Sequence, residues 1–279
     1  MKKVLLASTA LVLAGGMAMA EVETSGSGRM GIVSINGADA GFTSRIRISF
    51  SASGETDGGL SFGGSIRADN AAGGNAGTAG SVFAEGAFGR ISMGDVDGAA
   101  NAAVGQVSGV GLTGIGDLNE IAYLTNVGTT TPGVLYENSF GDVTFYLSAD
   151  NPNDGGTDTA VGLSYGMGNY TIALGYEMPD GGDEHLVVGL SAGFGDATVK
   201  AVYGDSDALA DGDQYAVSLD YVFGATTATV FYSENGAGQN HYGVGAAYDL
   251  GGGASLKGGI ADGDSLTDAS YDFGLNMSF

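Results

Sequence analysis

Of the seven basic residues beyond Lys2 and Lys3, five, Arg29, Arg45, Arg47, Arg67 and Arg90, fall in the first third of the chain, and four acids follow them, Asp95, Asp97, Asp117 and Glu120. Guanidinium groups grip carboxylates and phosphates in a fixed fork, so two such sets either pair or, held apart, put a field across the space between them. A second acidic group, Asp205, Asp207, Asp211 and Asp213 in DSDALADGD, offers an oxygen-only ligand density that suits Ca2+. Its spacing is not that of a twelve-residue calcium loop, and a solvated acidic loop is the competing reading. Nucleophilic catalysis has little to work with: there is no cysteine, and only two histidines, His185 and His241. Both histidines lie at the ends of alternating segments and read as polar surface residues. A literal G-x-G-x-x-G occurs at Gly109, Gly111 and Gly114. No strand–helix unit surrounds it, so it reads as tight backbone packing in a folded loop, not as a dinucleotide site.

These groups sit on an unusual chain. Lys2 and Lys3, the apolar run Val4 to Leu13 and Ala18-Met19-Ala20 form a secretory signal peptide, residues 1–20, cleaved before Glu21. Loss of Lys2 and Lys3 leaves seven bases against 32 acids. A chain so acidic cannot neutralise a phosphate backbone, which excludes nucleic acid as a partner. Without cysteine, an exported chain of this size is not held by disulfides. Glycine occurs 53 times and proline three, with no Gly-X-Y period, which fits a chain made largely of hydrogen-bonded strands.

From Asp142 onward the chain reads as hairpins. Gly141, Gly168, Gly195, Gly224 and Gly251 recur 27 to 29 residues apart, mostly after a large apolar residue, and Phe279 ends the series. Each unit is a strand of about ten residues, a loop, a second such strand and a tight turn, the length and asymmetry of a membrane-spanning β-barrel. Val143, Phe145 and Leu147 share one face, as do Tyr170, Ile172, Leu174 and Tyr176, while Thr144, Thr171, Glu177, Ser218 and Asp220 fall on the other. In water such an apolar face would need a second layer, and the sequence offers no helical segment to supply one. In lipid it needs none, and closure removes the sheet edges. Strands at Val22–Ile35, Phe42–Ser53, Gly58–Asp69, Thr78–Phe88, Arg90–Asp95 and Gly133–Phe140, with ten more to Phe279, make sixteen. The fold class is therefore all-β, an antiparallel transmembrane barrel occupying residues 21–279 as one domain.

One connection is long, 96–132. Val104, Val107, Val110, Leu112, Ile115, Leu118, Ile121 and Leu124 make it too apolar to stay in solvent, so it should fold inward against the barrel. The arginines alternate with large apolar residues: Arg45 and Arg47 with Ile46, Ile48 and Phe50, Arg67 with Ile66, and Arg90 with Ile91 and Met93. An arginine facing hydrocarbon would cost roughly 2–4 kcal/mol, so these should face the lumen. Pairing with nearby carboxylates is the other account of them.

Sixteen strands, a long third external loop, a lumenal arginine cluster and a terminal aromatic together resemble the Gram-negative general porin family, in its alphaproteobacterial branch. The resemblance covers the whole chain after the leader. It implies a homotrimer in the outer membrane, in contact with lipopolysaccharide, whose third loop narrows each pore for ions and small hydrophilic solutes. It sets Arg29, Arg45, Arg47, Arg67 and Arg90 as the basic wall of a constriction and Asp95, Asp97, Asp117 and Glu120 as its acidic loop. It implies no resident cofactor. The PEFG-type loop signature of enterobacterial members is absent. Barrel closure should bring Phe279 beside Glu21, and an aromatic end on an alternating strand resembles the signal read by the outer-membrane assembly machinery. A passive diffusion channel leads, a substrate-specific channel is the alternative, and a structural or adhesive barrel and an outer-membrane enzyme are the remaining rivals.

Overall fold

The alternating segments form strands that pair with their neighbours in sequence and then close on themselves. The computed structural model describes residues 21–69, 80–125, 132–153 and 157–279, so the expected leader and part of the long connection lie outside the described residues. Sixteen strands run through the described residues: β1 (Glu21–Ser34), β2 (Gly41–Glu55), β3 (Ser61–Asp69), β4 (Gly80–Gly86), β5 (Gly89–Gly94), β6 (Gly133–Phe140), β7 (Val143–Ala149) and β8 (Thr159–Met167). They continue as β9 (Tyr170–Met178), β10 (His185–Phe194), β11 (Ala197–Ser206), β12 (Asp213–Phe223), β13 (Thr226–Glu234), β14 (Asn240–Gly251), β15 (Ala254–Gly263) and β16 (Ser270–Ser278). All pairs are antiparallel, and β1 pairs with β16, which makes one closed barrel.

The two faces follow the period-two pattern. Ile172, Leu174, Leu186, Leu190, Val217, Leu219 and Phe273 are exposed on one face, whereas Glu177, Gln214, Ser218 and Asp272 between them are buried on the other. Large apolar and aromatic side chains exposed along the strands are the reverse of a soluble protein and suit a surface solvated by lipid. The tight turns carry their glycine first, with φ of 63° at Gly141, 61° at Gly168, 63° at Gly195 and 63° at Gly224. That is the conformation a type II′ hairpin turn requires and a side chain resists.

Closure differs from the expectation in register. Phe279 N–H donates to Gly26 O at 2.9 Å, and Gly26 N–H donates to Phe279 O. Glu21 instead pairs with Ser53 of β2, so β1 overruns the end of β16 and Phe279 is not beside Glu21. The strand count could not reveal this offset, because tilted strands in a barrel are staggered by the shear.

The long connection is not strand. It holds a short helix, α1 (Ala99–Val104), and a 3-10 turn at Ile115–Asp117, where the sequence was expected to offer no helical segment. The helix is too short to carry an amphipathic period, and it lies where glycines leave the sheet beneath it without side chains. A Cβ on Gly175 would stand 2.6 Å from Ala100 Cβ, and one on Gly189 would stand 2.7 Å from Val104 Cγ1. Ala99 N–H donates to Ser148 Oγ at 2.8 Å and fixes the first turn. Beyond the helix, Val107, Ile121 and Tyr123 pack with Ala160, Val187, Val202 and Ala216 in one cluster, and Val110 and Ile115 pack with Phe231 and Ala261 in another. Each aliphatic side chain so buried contributes about 1.5–3 kcal/mol. Of the eight apolar residues named in this connection, Val107, Val110, Leu112, Ile115 and Ile121 are buried, and Val104 and Leu118 pack against the same clusters while partly exposed.

Candidate functional site

Four of the five named arginines come together. Arg29 of β1 lies directly opposite Arg45 of β2, Arg47 lies opposite Asp69 of β3, and Arg67 lies opposite Ser49. Met30, Ile46 and Ile66, each next to one of these arginines, are exposed on the apolar face, so the guanidinium groups share the polar one. Arg47 Nε donates to Asp69 Oδ2. The Nε atoms of Arg29 and Arg67 are buried without a hydrogen-bond partner among the described residues.

Arg90 stands apart. It is at the turn end of β5, opposite Glu137, with Nη1 3.4 Å from Glu85 Oε2 and Nε 3.7 Å from Glu137 Oε1. Its guanidinium lies 3.8 Å from the centre of the Phe83 ring. Here the local-pairing account holds, and Arg90 leaves the basic cluster. Its alternation with Ile91 and Met93 gave its face correctly but not its height along the barrel.

The acids form two pairs. Asp95 lines a polar cavity of about 300 Å³ together with Arg67, Ser49, Ser65 and Ser81. Asp97 accepts from Asn101 Nδ2 at 3.3 Å, and burial, then the charge of Asp95, holds its carboxyl above the usual range. Glu120 follows the 3-10 turn, its N–H donating to Asp117 O at 3.0 Å, and burial, then Asp117, raises its carboxyl likewise. The Tyr123 phenol is pushed up by burial and then by the charges of Glu177, Asp97 and Glu120. Among the described residues no ion pair joins Arg29, Arg45 or Arg67 to these four acids.

What holds the acids in place went unread in the sequence. Glu177 accepts Leu124 N–H at 3.0 Å, Thr125 N–H at 2.9 Å and Thr125 Oγ1 at 2.6 Å, and its fourth bond comes from His185 Nδ1. Gln214 exchanges two bonds of 2.8 Å with the backbone of Ala122. Asp272 accepts Leu112 N–H at 2.8 Å, Thr113 N–H at 2.6 Å and Thr113 Oγ1 at 2.7 Å. Ser108 bonds Ser218 and Asp220, and Ser233 Oγ donates to Leu118 O. An unpaired backbone amide inside a protein costs about 1–3 kcal/mol, so acceptors at these points fix the path of the segment. The available signal is acids and an amide on the polar face near the loop ends of their strands, Glu177, Gln214 and Asp272. His185 and His241 are not surface residues, as expected, but 0% and 2% exposed. The segment covering His185 is some sixty residues earlier in the chain, and no local pattern announces it.

The acidic loop is gathered differently from its sequence. Asp211 and Asp213 each bring a carboxylate oxygen within 4.8 Å of Glu234, while Asp205 and Asp207 are not in that group. Asp205 instead faces Asp213 across the β11–β12 ladder.

With this geometry in hand, residues 7–268 match the Gram-negative porin family. The chain is 38% identical to a porin of Rhodobacter capsulatus over 93% of its own length and 100% of that protein. Among solved structures it is similar to a porin refined at 1.8 Å, with a TM-score of 0.82 and 36% identity over 93% of this chain and 100% of the other. An engineered variant of the Rh. blastica porin superposes with a TM-score of 0.80 at 23% identity, over 92% of this chain and 100% of that one, which supports the fold alone.

Proposed function

Because the chain belongs to the Gram-negative porin family and is a passive outer-membrane channel for small solutes, we propose that segment 95–125 lies in the lumen and forms its constriction. The observation that carries this reading is the spread of its anchors. One connection bonds Ser148 of β7, Glu177 of β9, Gln214 and Ser218 of β12, Ser233 of β13 and Asp272 of β16, all on the polar face of a closed sheet. Anchors on the polar face from β7 round to β16 support a path inside the ring, along its wall. The basic wall is then Arg29, Arg45, Arg47 and Arg67, with Asp95 beside Arg67 and Asp97, Asp117 and Glu120 on the side of the folded segment.

Separated charges of opposite sign leave a transverse field in the aperture that orients polar solutes and disfavours apolar ones, a passive filter needing neither energy nor catalysis. The exposed apolar belt supports assembly as a homotrimer in the outer membrane, and the acidic loops support contact with lipopolysaccharide through divalent cations. The substrates are ions and small hydrophilic solutes.

Replacing Arg45 and Arg47 together by Ser is the test, read in planar bilayers under a KCl gradient. The reversal potential should move toward cations, with the K+ to Cl− permeability ratio rising about twofold or more, and conductance should increase as the wall shortens. Unchanged selectivity and conductance in a protein that still gives ohmic steps would remove these side chains from the constriction.

A further inference from the structure

Arg29 and Arg45 are a cross-strand pair of like charges. Opposite residues on one face of an antiparallel ladder bring their Cβ atoms to about 5 Å, and like charges there are destabilising. The next positions add Arg47 and Arg67, against one carboxylate, Asp69, which bonds Arg47. The remaining acids of β1 and β2, Glu21, Glu23 and Glu55, lie toward the other end of these strands. The neighbouring sequence 70–79 contains no ionisable residue to compensate the excess.

One further base lies on this face, beyond Leu112, whose Cδ2 lies over Gly31 and Gly274. Lys257 of β15 lies opposite Gly274 of β16, which lies opposite Gly31 of β1, two residues from Arg29. Leu256 and Ile260 alternate with it, and Ile260 is exposed on the apolar face, so Lys257 is on the polar one. Asp272, the acid nearest on β16, already accepts three bonds from Leu112 and Thr113. Asp95 shares the Arg67 cavity without closing an ion pair to it among the described residues. Two guanidinium Nε donors, those of Arg29 and Arg67, are buried and unspent. A buried donor without an acceptor is costly, and adjacent cations repel, so both defects are relieved by one ligand that is small, carries two negative charges and has several oxygens.

We propose that Arg29, Arg45 and Arg67 form a binding site for small dianionic oxyanions, of which inorganic phosphate is the simplest. The polar face is turned away from lipid, so the ligand is a free solute and not a lipid headgroup. The site rests on the reading of this face as the channel wall and names the solute class that the wall retains. A chain of such acidity repels anions in bulk, and a local basic track gives them a path.

Purified protein in a planar bilayer tests this with inorganic phosphate at a pH where it is a dianion. In KCl alone, conductance should rise in proportion to concentration. Added phosphate should reduce the chloride current, and conductance in potassium phosphate should saturate. Arg29→Gln, which also relieves the like-charge pair and so threatens folding least, should raise the half-blocking phosphate concentration about tenfold. Arg29→Lys should recover part of that loss, because it keeps the charge and loses the fork. If KCl steps are absent, the channel reading fails on its own. If they are present but phosphate conductance is linear and blocks nothing, or if Arg29→Gln is blocked as the parent is, the site is overturned.

Discussion

At the residue scale, Asp97 and Glu120, which we place at the proposed constriction, give it a response to acid. Burial and a carboxylate neighbour hold both above the ordinary range near 4. A carboxyl raised in the folded state disfavours folding while it is charged, and the penalty disappears as pH falls through its folded value. Lowering pH from neutrality should therefore protonate these two before the ordinary acids, without destabilising the segment, and make the aperture more positive. The reversal potential should shift toward anions at a pH above the usual carboxylate midpoint, and Asp97→Asn with Glu120→Gln should abolish that early shift. A parent whose selectivity moves only near pH 4 would show the carboxyls to be unperturbed. The faces of Arg45, Arg47 and Arg67 were readable because each alternates with a large apolar residue across a lipid-solvated strand. The isolation of Arg90 was not, since partners such as Glu137 depend on register, and register on barrel stagger. The burial of His185 was equally hidden, because Thr125 and Gln214 reach it from distant parts of the chain.

At the element scale, the strands were legible and the long connection was legible only in its need for burial. Period two survives in a membrane barrel with unusual clarity, since one face meets lipid along every strand. Helix α1 has no such signature, and its six residues are held by what lies under them, Gly162, Gly175 and Gly189 on three successive strands. The glycine-rich composition so acquires a local purpose, a floor without side chains on which an alanine helix can lie. Gly175→Val should lift α1 from this floor. Overpacking of this kind costs about 1–3 kcal/mol, which should appear as a lower thermal transition and as larger, noisier single-channel currents. Currents indistinguishable from the parent's, in a variant destabilised to that extent, would mean that α1 does not border the opening.

For the molecule as a whole, the decisive contact is the seam where the ring shuts. A sheet of fifteen hairpin or loop connections still has two free edges until β1 meets β16, and an open edge is not tolerated in hydrocarbon. The last rung of that seam is the pair of bonds between Phe279 and Gly26, with the phenyl ring set so close that a Cβ on Gly26 would stand 2.7 Å from Phe279 Cδ2. Glycine at 26 is thus matched to an aromatic at 279, and β1 continues past the seam on β2 alone, which lets Glu21 to Ser25 remain paired after closure. Deleting Phe279 removes two backbone bonds, each contributing about 0.5–1.5 kcal/mol, and the ring that covers Gly26. The proposed constriction, anchored on Glu177, Gln214 and Asp272, is untouched. Deletion should therefore cut the yield of heat-resistant barrel in outer-membrane fractions several-fold, while the molecules that do insert conduct as the parent does. Gly26→Val, which obstructs the same rung from the other side, should reproduce the loss of yield with the terminal residue in place. Should Gly26→Val assemble normally while the Phe279 deletion does not, the terminal aromatic acts as an assembly signal alone and the seam tolerates its absence.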